Sequence, residues 1–257
     1  MTKNFHFFST FGRDYKLTAP TLIGEDVIVT LDPESGKPLQ SFGKDMFLMP
    51  HGLTIDAEGN HYVTDVGLHQ VLRFPPNATK PDLVLGQRME PGKDQTHFCM
   101  PTSVAVSAST GHFFVADGYC NSRVMKFIRE GKLVKIINGN WQVPHSLALF
   151  EETDVLCVAD REGGRVECVQ AGLQKPLHAN RDDTGRRVVN YDSRMIGRPY
   201  AIAAKGTALL VLRGAPGAKG LTIDTAAEPE EEPIIDEWAA TDVRSTFSHI
   251  GSKLQKA

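Results

Sequence analysis

Apolar residues in this chain come in short runs, many alternating with polar ones, separated by turn-forming residues such as Ala57-Glu58-Gly59-Asn60 and Glu162-Gly163-Gly164. Runs of this length and period predict strands rather than helices. Three stretches then repeat one order of elements. Residues 50–56 precede 61–65 and 70–74; residues 101–106 precede 113–117 and 123–127; residues 144–149 precede 156–160 and 165–169. Each set predicts three short strands joined by tight turns. A weaker copy runs from Arg198-Pro199-Tyr200 through 208–212 to 220–224, and a strand pair at 26–31 and 38–42 precedes the first full copy.

Units of this kind bury their faces only by stacking on neighbours. The chain is therefore expected to be all-β, one β-propeller domain spanning 1–257, with blades near 26–48, 50–90, 100–138, 143–178 and 198–236. That count, about four to five blades, leaves the propeller incomplete. The length is compatible with a single all-β domain.

Equivalent positions of successive blades lie at equal distance from the propeller axis, so the residues that open each repeat converge on one end of the channel. The first and third copies open on Pro50-His51 and Pro144-His145, and the second on Pro101-Thr102. The two histidines thus depart from the repeat at one shared position. Tyr119 follows Asp117 by two residues and Arg161 directly follows Asp160, which sends all four side chains toward the channel mouth. Two neutral imidazoles on one axis suit a zinc ion, and a catalytic zinc generally takes three protein ligands and keeps one position open. Plainer roles compete: hydrogen bonding for the histidines, an aromatic plug for Tyr119, and pairing with Asp160 or Glu162 for Arg161. Asp65, Asp117 and Asp160 recur in every full copy, which favours backbone capping. Surface or loop roles suit His61, His69, His97, His112 and His178.

The formal net charge of -3, with scattered lysines and arginines, gives no basic stripe for nucleic acid. No apolar run reaches the roughly 18 residues expected of a membrane span, and no signal peptide is visible. Sequences typical of serine hydrolases, zincins and nucleotide binders are missing. Cys99, Cys120, Cys157 and Cys168 lack zinc-ribbon spacing and sit in strand-like contexts. Three pairings are open; Cys157 with Cys168 would staple neighbouring strands across a hairpin and leave Cys99 with Cys120. Four reduced thiols are the alternative. Asn77-Ala78-Thr79 is a glycosylation sequon.

Six segments in order, 48–56, 63–71, 94–99, 117–123, 143–149 and 157–162, closely resemble peptidyl-α-hydroxyglycine α-amidating lyase, the enzyme or domain that completes peptide C-terminal amidation. The likeness is strong from about residue 26 to 170 and thin beyond it. The resemblance implies a six-bladed propeller of NHL-type repeats. Its expected reaction is cleavage of a peptidyl-α-hydroxyglycine to peptide amide and glyoxylate, with a hydroxylating monooxygenase as functional partner. It implies zinc held by three histidines, with His51 and His145 matching two and His249 falling near the third, and calcium at a carbonyl matching Leu53. Tyr119 matches the catalytic tyrosine and Arg161 an active-site arginine. The implied disulfides are Cys99–Cys120 and Cys157–Cys168, in a secreted or secretory-pathway protein glycosylated at Asn77. Against this pattern the chain is expected to be truncated at both ends: a further arginine of the first blade has no counterpart, and His249 lacks the proline and calcium-binding aspartate beside it. A non-catalytic propeller scaffold is the alternative expectation.

Overall fold

The computed structural model describes residues 11–173, 182–214, 219–227 and 233–239. A strand pair, β1 (Ile28–Leu31) and β2 (Pro38–Phe42), comes first. The first full blade is β3 (Pro50–Ile55), β4 (His61–Asp65), β5 (Gln70–Phe74) and β6 (Leu83–Leu85). The second is β7 (Pro101–Val106), β8 (Phe113–Asp117), β9 (Arg123–Phe127) and β10 (Leu133–Asn138). The third is β11 (Pro144–Phe150), β12 (Val155–Asp160), β13 (Arg165–Gln170) and β14 (Arg187–Tyr191), followed by the short helix α1 (Ser193–Ile196). The fourth is β15 (Pro199–Lys205), β16 (Ala208–Arg213), β17 (Gly220–Asp224) and β18 (Ile234–Trp238). Each full blade is an antiparallel meander in sequence order. This is an all-β propeller arrangement, as the repeat led us to expect.

In the second and third full blades the second strand reads as a nearly continuous apolar run because both of its faces are buried. Successive side chains of a strand point to opposite faces. Along β8, Phe113 and Val115 enter the core shared with the first full blade, while Phe114 and Ala116 enter the core shared with the third. Along β12, Leu156 and Val158 pack toward the second blade, and Cys157 and Ala159 toward the fourth. One strand thus glues two neighbours, and the blades cannot part without exposing both cores.

The outermost strands, β6, β10, β14 and β18, add a fourth strand to the three that each repeat predicts. They are short or half exposed, and β14 lies past residue 178, so neither alternation nor an apolar run marks them. Both disulfides form as paired above. Cys157 and Cys168 are directly opposed across β12 and β13, with Cα atoms 3.9 Å apart.

Candidate active site

The site begins with a backbone irregularity repeated in each full blade. In the first, Pro50 pairs with Asp65 and Gly52 with Thr64, so His51 is an extra residue without a partner in the ladder. The same skip falls at Thr102, His145 and Tyr200. A bulge of this kind re-aims its side chain. Four bulged residues therefore ring the channel, two of them histidines.

The recurring aspartates set this geometry. Asp65 is fully buried and accepts hydrogen bonds from the amides of Leu48 and Met49, just ahead of Pro50, and from Gly67 and Leu68. Asp160 does the same for Gln142 and Val143 ahead of Pro144, and Asp117 for Cys99 ahead of Pro101. Burial pushes the Asp65 and Asp117 carboxyls above the ordinary range, offset in part by these amides and, for Asp117, by the Asn121 side chain and Arg123. The aspartates cap the chain entering each inner strand, the structural role expected of them. In the fourth blade Arg213 stands at that place, opposite Pro199.

His51 Nδ1 lies 2.8 Å from the Thr102 carbonyl oxygen, and His145 Nδ1 lies 2.7 Å from that of Tyr200. A carbonyl only accepts, so each Nδ1 carries a proton, and in a neutral ring the lone pair then lies at Nε2. Both Nε2 atoms face one oxygen, the Tyr119 hydroxyl, at 3.0 and 3.1 Å. The imidazole centroids are 4.9 Å apart, with the rings nearly perpendicular. Arg161 donates from Nη1 to the same hydroxyl at 3.2 Å. A phenol has one proton and cannot donate to both imidazoles. The hydroxyl thus marks a point where two imidazole nitrogens and a cation converge.

Tyr119 is fixed on both sides. Gly118 before it passes against β11, where a Cβ would lie 1.9 Å from the Pro144 carbonyl oxygen. Cys120 after it is tied to Cys99. Burial pushes the Tyr119 phenol above its ordinary value, and Arg161 offsets only part of the rise. Left to these groups alone, the tyrosine is neutral near pH 7.

Arg161 also donates from Nε to Glu162 at 2.9 Å, and Arg198 bonds the other Glu162 oxygen. Pairing with Glu162 and contact with Tyr119 therefore coexist, while Asp160 pairs with Arg165 instead. The sequence-derived candidates His51, Tyr119, His145 and Arg161 are gathered in one place. Leu53 lies in β3, paired with Val63. Asn77 is exposed. His249 and His178 lie outside the described residues. Among the described residues, no group of three His, Cys, Asp or Glu side chains could hold a metal. His69 occupies the turn between β4 and β5, in keeping with the loop role its place in the sequence suits, but it is fully buried and not at the surface. Sequence reasoning passed over Tyr200, whose signal was present as the Pro-Tyr opening of the weak fourth copy.

Residues 98–127, which hold the first three strands of the second full blade, match the NHL repeat. A hydrazine synthase chain from Kuenenia stuttgartiensis superimposes with a TM-score of 0.54 at 15% identity, over 74% of this chain and 48% of that one, and supports the fold alone. The class defined by fold and site is thus an NHL-type β-propeller with a histidine–tyrosine–arginine cluster at its channel. Peptidyl-alpha-hydroxyglycine alpha-amidating lyase 2 of Drosophila melanogaster is 42% identical over 224 residues, 84% of this chain and 53% of the fly protein. Peptidylglycine alpha-amidating monooxygenase of Rattus norvegicus is 52% identical over 164 residues, 60% of this chain and 17% of the rat protein. This chain is a homologue of the peptidyl-α-hydroxyglycine α-amidating lyases. It spans about half the length of the fly protein and less of the rat one.

Proposed function

We propose that this chain is a carbon–nitrogen lyase that converts a peptidyl-α-hydroxyglycine to the peptide amide and glyoxylate. The observation that carries the reading is the Tyr119 hydroxyl, met by the Nε2 atoms of His51 and His145 and by Arg161. The reaction removes the proton of the substrate hydroxyl while the C–N bond breaks. The oxygen keeps its electron pair as the new aldehyde C=O, and the departing nitrogen takes the bonding pair and a proton. Tyr119 as phenolate is the base for the first proton and, once protonated, the donor for the second. Arg161 stabilises the phenolate and receives the substrate carboxylate.

The donor set fits zinc. Nδ1 of each ring is spent on a carbonyl that acts as an outer partner, so a neutral imidazole would turn its Nε2 lone pair inward. His51 and His145 would hold the ion, with His249 as the proposed third ligand. Bound zinc supplies Lewis acidity, which favours ionised oxygen beside it and opposes the burial that keeps Tyr119 neutral. A calcium ion at the Leu53 carbonyl, a glycan on Asn77, a secretory location and a hydroxylating monooxygenase that supplies the substrate complete the proposal. The two disulfides favour an oxidising compartment.

The test is metal analysis of the purified chain followed by incubation with an α-hydroxyglycine-extended peptide. Stoichiometric zinc with equimolar release of glyoxylate and peptide amide is expected. A zinc-free chain that releases neither would leave a non-catalytic scaffold as the reading.

A further inference from the structure

The guanidinium of Arg161 lies over two aromatic rings. Its Cζ is 5.1 Å from the Tyr119 ring centroid and 5.4 Å from that of Tyr200. Both separations fall within the range in which a ring face attracts a cation. The edge of the fork is held as well: Nε is bonded to Glu162, which Arg198 in turn holds from the far side. Among the described residues, two of the five N–H donors of the group are engaged, one at Glu162 and one at Tyr119.

Tyr200 is itself built in. It is the bulged residue of the fourth blade, at the position His51, Thr102 and His145 take in the others. Its ring lies over Gly214, where a Cβ would come within 2.0 Å of a ring atom. Its backbone carbonyl orients His145, and its ring meets the His145 ring edge-on at 5.9 Å. One residue therefore touches both the proposed metal-binding arm and the cationic arm of the site.

We propose that Tyr200 is a positioning residue whose ring face holds Arg161 in the orientation that receives the terminal carboxylate of the substrate. This rests on the lyase reading above. An arginine side chain has many rotamers, and binding a carboxylate through its planar fork requires one of them. A second ring in contact with the guanidinium confines the fork before substrate arrives, so the ordering cost is not charged to binding.

The experiment compares Tyr200→Leu, which keeps apolar bulk without a π face, with Tyr200→Phe, which keeps the face without the hydroxyl. Two substrates are used: an α-hydroxyglycine peptide and its counterpart with the terminal carboxylate converted to an amide. Tyr200→Leu should raise KM for the acid about tenfold, with a smaller change in kcat and little change for the amide; Tyr200→Phe should restore the acid KM. A second readout needs no turnover: phenylglyoxal should modify Arg161, located by peptide mass mapping, faster in Tyr200→Leu than in wild type or Tyr200→Phe. Equal damage on both substrates, failure of the phenylalanine variant to restore KM, or an unchanged modification rate would overturn the proposal. If wild type turns over neither substrate, the lyase reading fails, and the modification rates still decide whether Tyr200 holds Arg161.

Discussion

Gly118 runs so close to Pro144 that a Cβ on it would sit 1.9 Å from the Pro144 carbonyl oxygen. Backbone lies against backbone here, and neither side can yield as a flexible side chain would. The contact locks the segment carrying Tyr119 onto the inner strand carrying His145. Gly118→Ala should therefore push Tyr119 off the imidazoles and lower kcat by at least an order of magnitude. Its cost in stability should be about 1–3 kcal/mol, typical of overpacking. Thermal melts alongside glyoxylate assays check it, and wild-type turnover in the variant would show that the contact does not set the site.

Tyr119→Phe removes one oxygen and leaves the ring over which Arg161 lies. If the phenol transfers the proton, kcat should fall by about 10²–10⁴-fold, the usual contribution of a positioned acid–base group. Zinc content and the circular dichroism spectrum should match wild type. Retained turnover would assign the base elsewhere.

His51 and His145 reach the shared oxygen from different blades, so neither can stand in for the other. Replacing either by Ala should lower zinc affinity sharply, as measured by competition with a chromogenic chelator. Replacing His249 should do the same if it is the third ligand. An unchanged zinc affinity in the His249 variant would show that another residue completes the set. Removing zinc from wild type with a chelator should abolish glyoxylate release, and adding it back should restore it.

Much of this arrangement is legible in the sequence because a propeller repeats its errors as well as its rules. The three inner strands of each full blade announce themselves by short apolar or alternating runs, and the Pro-His openings mark the bulges that aim side chains inward. The outer strands are hidden: β14, with its exposed Arg187 and Val188, carries a pattern no stronger than a loop's. Tyr200 is hidden for another reason. Its blade has Arg213 where the others have aspartate, so the copy looks degenerate although its backbone makes the same bulge. Hydrogen-bond partners that are backbone carbonyls, such as Thr102 under His51, leave no residue-type signal at all.

His69 illustrates the same limit and carries a further prediction. It lies in a turn with φ 58, yet its side chain is fully buried and its Nδ1 accepts the Met100 amide at 3.1 Å. Accepting that bond requires the neutral ring. Burial, aided by the Lys16 charge, pushes its pKa down to about 4 from an ordinary value near 6.5. The unfolded chain therefore takes up a proton at this site before the folded chain does. The stability associated with the neutral ring is fully present above pH 6.5 and is lost as pH falls from 6.5 toward 4, by an amount on the order of 3 kcal/mol. His69→Asn keeps an acceptor in reach and tolerates the positive φ, but does not titrate. The wild-type melting temperature should thus fall more steeply than the variant's between pH 7 and pH 4.5. Parallel curves would mean that His69 does not govern acid sensitivity, and that carboxylates elsewhere account for it.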